Sequence, residues 1–305
     1  MDDWRTAMLR SAGDMVRGLP ADEPVDLIAA FARPWSRELA MRVAGAPRAD
    51  AGRLAGLARE VFLAAAHATD ARPAPAALTA TTELARALPG ADPAIAVQAF
   101  VALSETLPCL LAGVWLELFR RPPLAQQLCR QLLAPPDAPG MSAADEMAVR
   151  DDSNHILPRV IEELMRLASP DRAVFRQARG DTTIGNARIA AGDGVILMLA
   201  AANRDPNAFP DPDAVDLSRS APAHLTFGRG PHRCAGASLV RMAVTVATVA
   251  LLETSSEIEV IGEVEWIGGF AIRGPAALPV VLRRQPPDGP SDPAGRTVRE
   301  PITSA

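Results

Sequence analysis

The sequence predicts an α+β protein, mainly α with small β-sheets, and three observations carry that expectation. The first half is rich in alanine, leucine and arginine, with apolar residues recurring at three- and four-residue spacing. Glycine, proline and β-branched residues gather after Ser169, in short runs broken by turns. A glycine-rich loop, HLTFGRGPHRCAG, then leads into the apolar helical stretch ASLVRMAVTVATVALL. The chain has 305 residues, 49% hydrophobic and 22% charged, enough for one large core. Residues 1–284 are therefore expected to form a single domain, and the Pro/Gly-rich stretch 285–305 a disordered tail.

Residues 24–45, PVDLIAAFARPWSRELAMRVAG, and 48–68, RADAGRLAGLAREVFLAAAHA, each present one apolar face at helical period and are predicted amphipathic helices. The proline-alanine stretch DARPAPAALTA interrupts them. A long helical pattern from Asp92 to Arg121 follows, and Pro108 within it should bend the helix. LLAPPDAPGMSAADE is a loop by its Pro and Gly content, and NHILPRVIEELMRLAS a helix. DTTIGNARIAAGDGVILML holds two β-rich runs separated by glycine turns, and EIEVIGEVEWIGGFAIRGPAALPVVL repeats that style.

A formal net charge of −5 argues against nucleic acid or an anionic membrane surface as partner. The opening MDDWRTAMLR carries two acids with no apolar run behind it, unlike a secretory signal or an anchor. No later apolar run is expected to span a membrane. Cys109, Cys129 and Cys234 are an odd set with no C-x-x-C pair, which argues against a disulfide framework and a zinc ribbon and points to the cytoplasm. On their apolar helical stretches, Cys109 and Cys129 read as structural thiols.

Cys234 stands apart. Gly228, Gly230 and Gly236 bracket it, so the backbone there can turn tightly and approach a flat body. A helix starts just after it, and its free N–H groups would favour a thiolate. His232, Arg229 and Arg233 add positive charge. Phe227, Gly228, Gly230, His232, Cys234 and Gly236 match the six fixed positions of the haem-binding signature of the cytochrome P-450 family, which the loop strongly resembles. Glu163 and Arg166 in EELMR resemble that family's Glu-x-x-Arg motif, one helical turn apart where they can pair. AANRDPNAFPDPDAVDLSR resembles the meander before the haem loop, with Ala214 where many relatives place an arginine that completes the brace. VALSETLP resembles the oxygen-activation motif, with Leu103 and Leu107 in place of the family glycine and second threonine.

The resemblance runs from about Val25 to Arg283 and implies a P-450-like fold lacking its usual N-terminal portion, with residues 64–92 too short for both helices of the usual lid. It implies haem b held at its iron by Cys234, with Arg176 and His232 on the propionates. Glu105 and Thr106 would relay protons, a carboxylate backing a hydroxyl, and Arg229, Arg233 and Arg241 would form a docking face for an acidic ferredoxin-type partner. Three functions follow from it: a haem-thiolate monooxygenase using dioxygen and ferredoxin-type electrons on a small apolar molecule, a haem-thiolate protein with peroxide-driven chemistry, and a non-catalytic helper or binding relative.

Overall fold

The computed structural model describes residues 2–69, 74–90, 92–133, 156–219 and 224–284. The predicted loop at 132–146 lies almost entirely outside these residues, and the predicted tail wholly outside.

A helix that the sequence reading left unassigned comes first, α1 (Asp2–Arg17). Its Met8, Ala12 and Val16, one turn apart, are buried. The stretch expected to be helical from residue 24 begins instead as strand β1 (Pro24–Asp26). Asp26 Oδ1 accepts the amides of Ile28 and Leu278, both at 2.9 Å, ending the strand and opening the helical turns that follow. A π-turn, Ile28–Ala32, leads into α2 (Arg33–Ala44), closed by Gly45 at φ 64°. After α3 (Ala51–Ala66), one helix, α4 (Pro75–Ala87), forms within the proline-alanine region, with Pro75 at its first turn, where no N–H is needed.

Asp92 caps α5 (Pro93–Val101) by accepting the amides of Ala94 and Ile95. The expected bend at Pro108 takes the form of a π-turn, Ala102–Thr106, between α5 and α6 (Leu107–Phe119). Proline has no N–H for the carbonyl one turn earlier, and the widened turn absorbs that loss. A further helix, α7 (Pro122–Leu133), extends past the expected end at Arg121.

Then come α8 (Leu157–Leu167), β2 (Val174–Gln177), β3 (Thr182–Ile184), β4 (Ala187–Ile189), β5 (Gly194–Leu197) and the short α9 (Leu199–Ala202). The chain ends its described part with α10 (Ala237–Thr254), β6 (Ser255–Val260) and β7 (Pro279–Arg284). The sheets are small and antiparallel: β1-β7-β6, β2-β5 and β3-β4. Pro24 sits in an edge strand, where its missing donor costs no ladder bond.

The core forms where α6 and α10 meet. Trp115 donates to Thr248 Oγ1 at 3.1 Å and stacks on Phe31 with centroids 5.5 Å apart. Contrary to the sequence expectation, residues 93–119 and 237–254 are long and apolar enough to cross a membrane, but more than half of each is buried inside this fold. Cys109 is buried, and Cys129, half-buried, packs at the core margin.

Candidate functional site

Phe227, Gly228, Gly230, His232, Cys234 and Gly236 lie on one loop that ends at the first turn of α10. Gly228 and Gly230 sit at φ 64° and 68°, the left-handed region that favours glycine. At Gly228 a Cβ would also stand 3.3 Å from the His232 carbonyl. The Cys234 amide donates to the Phe227 carbonyl at 2.8 Å, closing the loop, and the cysteine, His232, Arg229 and Arg233 are all exposed.

Behind the loop lies a buried ionic brace. Arg166 grips Glu163 with two bonds of 2.9 Å and donates to the carbonyls of Asn203, Pro212 and Ala214 at 3.0, 2.6 and 2.9 Å. Ala214 thus joins the brace through its backbone, and the cation expected at that position comes five residues later. Arg219 Nε donates to Glu163 Oε2 at 3.2 Å, with its guanidinium also on the carbonyls of Pro210 and Asp211. Both guanidiniums lie over the Phe209 ring, at 5.0 and 6.0 Å. Burial alone would raise the Glu163 pKa, but hydrogen bonds from Arg166 and the Asp216 amide, with the two positive charges, hold it below the usual carboxylate range. Asn203, buried and overlooked in the sequence, links brace to loop: its Oδ1 accepts the Leu225 amide at 2.6 Å and its amide donates to Thr226 Oγ1 at 3.2 Å. Thr226 in turn donates to the Met165 carbonyl on α8.

Arg241 does not stand on the exposed face with Arg229 and Arg233, as the sequence suggested. Half-buried, it binds Glu162 through Nε at 2.5 Å and a second nitrogen at 3.1 Å, and its guanidinium lies 4.4 Å over the Phe227 ring.

Glu105 and Thr106 occupy the π-turn on the central helix. Glu105 is buried and doubly paired, with Arg37 of α2 at 2.6 Å and Arg59 of α3 at 3.1 Å. A buried acid demands such partners, and that rule was the available signal for two arginines whose identity the sequence reading did not name. Arg33, half-buried beside them, has its pKa lowered by burial, with Glu105 opposing and Arg59 and Arg37 reinforcing. Among the described residues Thr106 makes no hydroxyl hydrogen bond, so its Oγ1 is not spent on the preceding helical turn. Leu103 and Leu107, in place of the smaller residues of the resemblance, are both buried. No hydrogen bond or ion pair among the described residues joins this group to the Cys234 loop.

Arg176 is exposed on β2, opposite Val195, and among the described residues it donates to the Phe175 carbonyl and pairs with no acid. Its two-stranded sheet also exposes Ile196 and Leu197, and Phe175 meets Phe270 at 6.2 Å. An accessible soft sulfur donor, basic groups that pair with no acid among the described residues and exposed apolar surface are the chemistry a haem needs for its iron, its propionates and its ring.

Residues 150–256 match the family model described as Cytochrome P450. The 20-oxo-5-O-mycaminosyltylactone 23-monooxygenase of Streptomyces fradiae is 46% identical over 98 residues, 32% of this chain and 23% of that protein. Cytochrome P450 monooxygenase PikC of Streptomyces venezuelae is 36% identical over 148 residues, 47% of this chain and 36% of that one. The matched stretches thus span between about a quarter and a third of those relatives' own length. Mycobacterium smegmatis CYP164A2 superposes with a TM-score of 0.75 over 91% of this chain and 74% of its own, at 24% identity, and CYP108D1 of Novosphingobium aromaticivorans with 0.73 over 93% and 69%, also at 24%. Residues 150–256, the stretch that carries the brace and the cysteine loop, are thus similar to the cytochrome P450 family, and the chain shares the fold of solved cytochrome P450 structures.

Proposed function

We propose that the protein is a cytoplasmic haem-thiolate monooxygenase that takes haem b, accepts electrons from a ferredoxin-type partner and oxidises a small apolar organic molecule. The observation that carries this reading is the exposed Cys234 on its double-glycine loop, backed by a buried Glu163–Arg166–Arg219 brace. Cys234 Sγ would ligate the iron, while Arg176 and His232 would hold the propionates. Haem bound there supplies reductive activation of dioxygen and transfer of one oxygen atom to substrate.

The chain's own groups set the proton supply. Thr106 Oγ1, free of the helix's own carbonyls, can orient a water, and Glu105 can hold the next proton. Both Glu105 oxygens are occupied by guanidiniums, so passing that proton inward requires Arg37 or Arg59 to release one of them. Arg229 and Arg233, exposed beside Cys234, offer an acidic partner a docking face without Arg241. The openness of the Cys234 loop favours peroxide-driven oxidation as a second reading, since peroxide reaching an open site needs no redox partner.

The test is the spectrum of reduced, haem-supplied protein under carbon monoxide. Thiolate ligation should give a strongly red-shifted Soret band, and Cys234→Ser should abolish it. Absence of haem uptake by the wild type, or survival of the red shift in the variant, would overturn the ligand assignment.

A further inference from the structure

Glu162, the residue just before the brace glutamate, has no part in that brace. Its carboxylate turns to the other side of α8, where it accepts from His224 Nε2 at 2.9 Å and from two nitrogens of Arg241. His224 Nδ1 accepts the Thr226 amide at 3.3 Å, which leaves the ring hydrogen on Nε2 pointing at Glu162. The His224 ring packs 5.9 Å from Phe227, and the Arg241 guanidinium caps the same ring at 4.4 Å. Phe227 is therefore held by two side chains that share one carboxylate, and its own carbonyl accepts the Cys234 amide at 2.8 Å. Burial alone would raise the Glu162 pKa, but the bonds from His224 and Arg241 bring it down to about 2, so the carboxylate stays charged.

From this arrangement we infer that Glu162, His224 and Arg241 are positioning residues that act through Phe227, fixing the Cys234 loop and tuning how readily a haem bound there is reduced. The inference rests on the haem-thiolate reading for its electronic half and on the loop alone for its structural half. The pair splits a positive and a negative charge around one aromatic ring. Removing the positive member makes the local field more negative and disfavours the reduced state; removing the negative member does the opposite. A role limited to packing would loosen the loop in either variant and shift reduction the same way in both.

Two measurements on Arg241→Met, Glu162→Gln, the double variant and Arg241→Lys decide it. In protein as purified, hydrogen exchange of the 225–236 peptide should speed up about tenfold in Arg241→Met, the scale of losing a desolvated cation–π contact, while α1 is unchanged and Arg241→Lys stays closer to wild type. In haem-loaded protein, the ferric/ferrous equilibrium constant should move by about threefold toward ferric in Arg241→Met and about threefold toward ferrous in Glu162→Gln, with the double variant between them. Loop exchange in Arg241→Met equal to wild type overturns the structural half. Equilibrium shifts of the same sign in the two single charge variants overturn the tuning. If Arg241→Met fails to fold, Glu162→Gln against the wild type carries both readings, since it too must speed loop exchange and must favour ferrous. Wild type that takes up no haem would count against the haem reading, and the exchange measurement would still decide the clamp.

Discussion

Arg219 shows how much of the cysteine loop's support rests on single side chains. Its side chain is only 8% exposed, its Nε completes the coordination of Glu163, and its guanidinium closes two carbonyls of the meander. Removing one member of a buried ionic network leaves the others desolvated and unpaired, which typically costs about 3–5 kcal/mol. Arg219→Ala should therefore lower the melting temperature sharply and deplete bound haem, with Arg219→Lys intermediate because a single ammonium cannot serve carboxylate and carbonyls in one plane. An unchanged melting temperature in Arg219→Ala would show that Arg166 alone carries the brace. Cys109 offers the contrast of a side chain without such a network. Burial first, and then the negative charge of Glu105, push its thiol up to about 12, leaving it a packing group against Gly274 and no nucleophile.

Among the elements, the π-turn Ala102–Thr106 has the largest chemical consequence, because it places Glu105 in the reach of helices α2 and α3 together. Glu105→Gln keeps the shape but leaves Arg37 and Arg59 facing each other without the anion. Since both arginines are about one-third exposed, water screens part of the loss, and a destabilisation of about 1–3 kcal/mol is expected in denaturant titration, relieved by adding Arg59→Met. No destabilisation in the single variant would mean that the two cations are held by solvent. The same elements mark the limits of reading the sequence. Pro108 announced a disturbed helix, and the cysteine loop was legible because six of its positions are local in the chain. The partners of Glu105 were not, because arginines 46 and 68 residues upstream become neighbours only through tertiary packing. Arg219 was missed for a related reason: the cation was sought at Ala214, but the meander's fold brings in a side chain from further along. Pro24–Asp26 looked like a helix start because its residues fit the helical period, and pairing with β7, more than 250 residues away, overrode that local pattern.

Across the whole molecule, two acids with opposite shifts shape how stability depends on pH. Glu162 is held at about 2 in the fold against an ordinary 4.5, so its contribution is complete above pH 4.5 and is lost as pH falls toward 2. Asp171, crowded by the segment around Ile272, is raised by burial from 3.8 to about 6, so the fold favours its neutral form and loses that advantage as pH rises from about 4 through 6. These two groups together place their joint optimum near pH 4, where the rise from Glu162 gives way to the fall from Asp171. Asp171→Asn, neutral at every pH, should match the wild type near pH 4 and exceed its unfolding free energy by about 2–3 kcal/mol at pH 8. Glu162→Gln should be less stable than wild type by about 1–3 kcal/mol at pH 7, allowing for partial exposure, with the gap closing toward pH 2–3. Denaturant unfolding of the three proteins across pH 3 to 8 reads both signs at once. A constant offset between Asp171→Asn and wild type over that range would mean that the aspartate titrates alike in the folded and unfolded chains, and that water reaches it in the fold.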